Sequence, residues 1–165
     1  MQAAPRTDAL ASLLQAELQR EMTAWQATAS PPYFVSFRVD DQQTWYLEAS
    51  FGAVSEHQDR HYRIFTTMVR VGDWQFDNYH PTDDGPEDAE TTYLPLEDEP
   101  DAIRQVVWLS ADAAYRAAVS RLAAVSAGAA VRVRSSEESS DYTGSTPVQY
   151  AEAPADAMFT ARDEE

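Results

Sequence analysis

Large apolar and polar residues alternate through two adjoining stretches, Pro32 to Asp41 and Thr44 to Ala53. Alternation of this kind turns one face of a strand toward a core. In the first stretch Tyr33, Val35, Phe37 and Val39 share a face opposite Ser36, Arg38 and Asp40. In the second, Trp45, Leu47, Ala49 and Phe51 oppose Thr44, Tyr46, Glu48 and Ser50. Asp40-Asp41-Gln42-Gln43 between them reads as a polar hairpin turn. A third segment, from about His61 to Val71, carries Tyr62, Ile64 and Met68 on one face and Phe65, Val69 and Val71 on the other. Apolar groups on both faces predict an interior strand, and connections this short predict an antiparallel meander.

Helical periodicity brackets these strands. Leu10, Leu14, Leu18, Met22 and Trp25, with Leu13 beside them, form one stripe. Thr7 or Asp8 caps its start, and Ser30-Pro31-Pro32 blocks its continuation. The second stripe runs through Ile103, Val107, Ala111, Ala114, Ala118, Leu122 and Val125. Glu97, Asp98 and Glu99 put negative charge at its start, Pro100 suits its first turn, and Gly128 is placed to cap its end. Its alanine-rich face predicts close packing on the sheet. Between the third strand and this helix, Asp77 to Asp101 is rich in proline and acid and reads as a surface loop, broken by an extended piece at Thr92-Tyr93-Leu94.

The expected fold is therefore α+β, an antiparallel sheet of at least three strands packed against two amphipathic helices. The expected organisation is a disordered stub over 1–7, a domain over 8–128, and an acidic linker and tail over 129–165 leading toward a further domain. Ser135 to Asp141 reads as solvated linker, and the segment beyond has too few apolar residues for a core.

Composition narrows the function classes. The 165 residues are ample for a hydrophobic core, and the absence of cysteine removes disulfides, thiolate zinc sites and cysteine nucleophiles together. Twelve arginines and no lysine stand against 28 acids, a formal charge of −16. Such a surface repels phosphate backbones and argues against a nucleic-acid partner. It fits either a salt-adapted acidic proteome or a GC-rich genome combined with an acidic loop and tail. No apolar run approaches the roughly 20 residues of a membrane span, so no membrane partner is expected. The start lacks the basic and apolar regions of a signal peptide, which favours the cytoplasm, with export open if a leader has been removed.

Candidate chemistry is sparse. His57, Asp59 and His61, if extended, point to one side of a strand, and two imidazoles with a carboxylate are a zinc-ligand set. Exposed polar residues at a strand start are the commoner meaning of that pattern. Asp83-Asp84-Gly85-Pro86-Glu87-Asp88 invites calcium but fails the EF-hand template, because a glycine at position six puts His80 at position one and Thr82 at position three. Trp45, Trp74, Trp108 and Tyr115 are candidates for an aromatic ligand surface, with core or subunit-interface packing the preferred reading. The chain contains no G-x-S-x-G elbow, Walker loop, G-x-G-x-x-G or H-E-x-x-H.

One ordered set of segments resembles a known family. Pro32-Tyr33-Phe34-Val35-Ser36, the Ala49-Ser50-Phe51-Gly52-Ala53 turn, Val69-Arg70-Val71-Gly72-Asp73, Phe76-Asp77-Asn78, Leu94-Pro95-Leu96-Glu97-Asp98 and Val107 to Tyr115 are similar to the N-terminal domain of the TldD/PmbA family of zinc metallopeptidases. The resemblance covers about residues 8 to 127, with a fainter echo at Thr146 to Tyr150. It implies an α+β domain of a dimer-forming peptidase whose zinc is held downstream by an H-E-x-x-x-H helix. None of His57, His61 and His80 is followed by glutamate, so no catalytic residue carries over. The implied partners are a downstream catalytic domain, a homo- or heterodimer partner and unfolded peptide. The chain is then either cut from a longer protein, which its linker-like C-terminus favours, or a degenerate stand-alone relative. Two rivals remain open: a free-standing module that binds a partner by sheet-edge addition, and an enzyme built on His57, Asp59 and His61.

Overall fold

The computed structural model describes residues 8–82, 89–129, 140–144, 146, 148 and 150. The elements follow in the order α1 (Ala9–Trp25), β1 (Pro32–Ser50), β2 (Ala53–Val71), β3 (Glu90–Leu94) and α2 (Pro100–Ala129). The three strands form one antiparallel sheet in the order β1-β2-β3, and both helices lie on one of its faces. The fold is α+β.

The pairing register shows which residues face the helices. Val35, Phe37 and Val39 of β1 stand opposite Val69, Thr67 and Phe65 of β2, and Thr92 and Leu94 of β3 stand opposite Phe65 and Arg63. One core cluster joins Val69 and Val71 to Trp25, Ala111, Ala114 and Ala118; the other joins Phe65 and Leu94 to Ile103 and Val107. The alanines of α2 admit the close approach that their small size predicts. At Thr67, the one polar residue of β2 buried on this face, the hydroxyl meets Ser110 Oγ at 3.1 Å, so neither group is left unpaired in the core. As expected of an interior strand, β2 also carries apolar groups on its other face, where Tyr62, Ile64 and Met68 are only half-buried.

Asp8 caps α1, its Oδ1 accepting from Leu10 N at 2.8 Å and Ala11 N at 3.3 Å. The buried face of α1 differs from the apolar stripe. Glu17, Glu21 and Trp25 are its buried residues, and Leu18 and Met22 lie half-buried to one side. Arg20 Nε donates to Glu17 at 2.7 Å and Nη2 to Glu21 at 2.9 Å, while Arg104 of α2 reaches Glu17 at 3.3 Å. Burial, the largest influence, holds the Glu21 carboxyl above its ordinary range against the opposing pull of Arg20.

Three local expectations are corrected. Asp40 to Gln43 is not a turn. β1 runs straight through it, because Asp41 and Gln43 find cross-strand partners in Arg63 and His61; the chain reverses ten residues later. Gly128 does not cap α2, which continues through it to Ala129. The stretch after β2 is not all surface, since Asp77 and Asn78 are fully buried. The 83–88 acidic stretch, the 1–7 stub and most of the expected linker and tail lie outside the described residues. No helix among those described is long and apolar enough to cross a membrane.

Candidate functional site

β1 and β2 are each 19 residues long, yet β3 pairs only with Arg63 to Thr67 of β2. Beyond that level the hairpin leaves the body as a two-stranded ribbon, Gln42 to Ser50 against Ala53 to Tyr62. At about 3.3 Å per residue it reaches roughly 30 Å. Among the described residues neither face is covered: Trp45, Tyr46, Leu47, Phe51 and Val54 are all exposed. A two-stranded hairpin alone in water is marginally stable, and contiguous exposed apolar groups mark interaction surfaces.

Local chemistry builds the ribbon. Its tip is a two-residue turn with Phe51 at φ 52° and Gly52 at φ 80°, the pair of left-handed conformations that suits the twist of a hairpin. Glycine adopts this freely; phenylalanine does so at a cost, and the Phe51 ring is wholly solvent-exposed. Below the tip, Glu48 pairs with Glu56 and Ala49 with Val54, so Ser55 bulges out and its Oγ donates to Glu48 O at 3.1 Å. At the root, Arg63 ties three elements together: Nε donates to Asp41 at 2.7 Å, and Nη1 to Asp98 at 2.6 Å and to Pro95 O at 3.3 Å. His61 Nε2 meets the other Asp41 oxygen at 2.6 Å. The Arg63 hydrogen bond first, and that of His61 second, hold the Asp41 carboxyl below its ordinary range.

His57, Asp59 and His61 do share one face of β2, but each looks across at a different β1 residue, respectively Leu47, Trp45 and Gln43. His61 is engaged with Asp41, and Asp59 accepts from Gln43 Nε2 at 3.4 Å. No group of three His, Cys, Asp or Glu able to hold a metal forms among the described residues. Of the aromatic candidates only Tyr115 enters the interior, stacked on Trp25 at 4.9 Å with its hydroxyl donating to Thr28 Oγ1. Trp45, Trp74 and Trp108 are exposed.

A second constellation sits at the opposite end of the sheet. The loop after β2 turns tightly at Gly72 (φ 107°), where a Cβ would lie 2.6 Å from Phe76 O, and the Asp73 carboxylate caps Gln75 N and Phe76 N. Asn78 pins the return, accepting from Val71 N at 2.8 Å and donating to Val69 O at 3.1 Å. This brings the fully buried Asp77 carboxylate to Arg70 Nη1 at 2.5 Å, to the Tyr33 hydroxyl, which donates to it, and to Tyr79 N at 2.6 Å. Burial, reinforced by the bond to Asp77, keeps the Tyr33 hydroxyl protonated far above the ordinary phenol range. The Arg70 guanidinium lies between the rings of Tyr79 and Tyr142, at 4.4 and 4.6 Å from their centroids. Asp141, expected in solvated linker, is half-buried here, its side chain only 4% exposed.

No protein-family model, curated protein or solved structure matches the chain.

Proposed function

We propose that the chain is a non-catalytic domain of a TldD/PmbA-like metallopeptidase, and that its ribbon helps to build the subunit contact or the chamber in which peptide is held. The resemblance of the ordered segments supports the family, and the projecting ribbon supports the role. An arm of roughly 30 Å with exposed aromatic residues marks an interaction surface. A component that completes its arm against another subunit would cover it. In this reading zinc belongs to downstream residues, and this chain supplies shape and contact.

The outer edge of β1, which no strand among the described residues pairs, favours a second reading, a stand-alone module that adds an extended peptide as a further strand, with main-chain hydrogen bonds giving affinity and little sequence preference. The deciding comparison uses the polypeptide encoded by the whole reading frame, with and without replacement of Leu47, Phe51 and Val54 by serine. The first reading expects zinc content unchanged by the substitutions, while subunit association and peptidase activity fall together. A reading frame without an H-E-x-x-x-H segment, or one whose association and activity ignore the ribbon, sinks it. Peptide binding that persists in such a zinc-free product establishes the second.

A further inference from the structure

The polar constellation at the end of the sheet holds a short piece of the chain as a binding site holds a ligand. Every residue that makes the site lies between Tyr33 and His80, and its geometry is fixed from within by Asp77 and Asn78. The occupant, Asp141-Tyr142, comes from the far side of α2, separated from Ala129 by ten intervening residues and Ser140. It contributes nothing to either hydrophobic cluster.

Its contacts are directional and of three kinds. Two main-chain bonds run from the segment to the loop, Asp141 N donating to Gln75 O at 3.4 Å and Tyr142 N to Trp74 O at 3.2 Å, bonds that any sequence can make. The Asp141 carboxylate, an acceptor only, takes Asp77 N–H at 2.9 Å and His80 Nδ1 at 2.9 and 3.1 Å, while Arg70 Nη1 reaches the Asp141 carbonyl at 3.5 Å. The Tyr142 ring then enters an aromatic box, 5.2 Å from Phe34, 5.2 Å from Trp74 and 6.2 Å from Tyr33, with the Arg70 cation beneath it. Gly144 follows so closely over Trp74 that a Cβ there would lie 2.6 Å from the indole ring. Backbone pairing plus one acid pocket and one aromatic pocket is the anatomy of peptide recognition. The resident segment does not exhaust it, since Arg70 Nε is buried with no hydrogen-bond partner among the described residues.

We propose that Tyr33, Phe34, Arg70, Trp74, Asp77 and His80 form a recognition site for an acidic–aromatic peptide, Asp followed by Tyr, which this chain fills with its own Asp141-Tyr142. As part of the same chain, the resident segment competes intramolecularly with any free peptide, as a linked second binding event does. The site is therefore closed to weak ligands and opens only to a displacing one.

The test is carried out on the full chain, titrated into the fluorescein-labelled pentapeptide Ser-Asp-Tyr-Thr-Gly and followed by anisotropy. The double variant Asp141→Ala/Tyr142→Ala, with circular dichroism matching the wild type, is expected to bind the peptide saturably and at least roughly tenfold more tightly than the wild type does. Replacing aspartate by asparagine in the peptide is expected to weaken binding roughly tenfold or more, the loss of charge-assisted bonds. His80→Ala in the double variant is expected to do the same. A folded double variant that binds no better than wild type overturns the proposal, as does equal binding of the asparagine peptide. Should the double substitution unfold the chain, Tyr142→Ser alone, which empties the aromatic box, is titrated with the same two outcomes.

Discussion

Substitution of Asp77 by alanine strips three donors of one acceptor. Arg70, whose side chain is 12% exposed, would keep its charge with no carboxylate against it, and the Tyr33 hydroxyl and Tyr79 N–H would lose their partner in the same step. Breaking a buried ion pair by removing one partner costs about 3–5 kcal/mol. The orphaned amide adds about 1–3 kcal/mol, partly overlapping the first figure, so a total near 4–6 kcal/mol is expected. Against a domain stability of about 5–15 kcal/mol, that leaves the variant folded but marginal. With a urea slope of about 2 kcal/mol/M, the midpoint should fall by about 2–3 M when unfolding is followed by far-ultraviolet circular dichroism. Asp77→Asn retains an acceptor for Tyr79 and should lose roughly half as much. Adding Arg70→Met to Asp77→Ala should recover part of the loss, because the unpaired charge goes with it. A midpoint shift under 0.5 M for Asp77→Ala, on the same roughly 2 kcal/mol/M slope, would show the cluster to be open to water and the reasoning wrong.

Glu21, whose carboxyl is held above its ordinary range by burial, contributes stability that is present in full below the unfolded-state pKa and lost as pH rises through the folded value. Glu21→Gln should therefore raise the melting temperature at neutral pH and flatten its decline between acid and neutral pH. Asp41 has the opposite sign: its lowered pKa gives stability present above the unfolded carboxylate value and lost as pH falls through the folded one. Arg63→Met should remove the larger part of that acid limb, leaving the share of His61; the whole is worth no more than about 1 kcal/mol for so exposed a carboxylate, and the substitution should speed hydrogen exchange in the ribbon more than in α2. Phe51→Asn should leave the fold intact and stabilise it by up to about 1 kcal/mol, since asparagine tolerates the left-handed turn, while weakening any association made through the tip, as read by sedimentation. Gly72→Ala should destabilise by about 1–3 kcal/mol in thermal unfolding, because its φ of 107° is strained for a side chain and its Cβ would lie 2.6 Å from Phe76 O.

The helices were legible because a stripe at helical spacing is a local signal, and so was the covered face of the sheet from Val35 to Val39. The centre of the ribbon is not legible locally. Asp40 to Gln43 has turn-like composition, and what keeps it extended is Arg63 and His61 some twenty residues away. The true turn does carry a sign, Gly52 at the end of the second alternating run, within the segment Ala49 to Ala53 that reads as a turn. Glu17 and Glu21 were legible in principle, four apart on the face that ends at Trp25. The site at the far end of the sheet was not. Tyr33, Arg70, Asp77, His80 and Asp141 share no periodicity and no motif, and meet only because the sheet register, the Gly72 turn and the return of the chain after α2 bring them together.

The uncovered ribbon also changes what salt does to this molecule. Long open strand edges are templates for pairing with other chains, and proteins blunt them with charge, cover or proline. Among the described residues nothing covers the ribbon and it has no lysine, so the guard is charge: Glu48, Glu56 and Asp59 on it, and the mutual repulsion of chains that each carry −16. That repulsion extends about 10 Å at 0.1 M salt and only about 3 Å at 1 M, whereas the attraction of Trp45, Leu47 and Phe51 for another apolar surface is not screened at all. Ionic strength therefore sets how sticky the arm is. Dilute buffer keeps the molecules apart, and concentrated salt lets the ribbon find a partner.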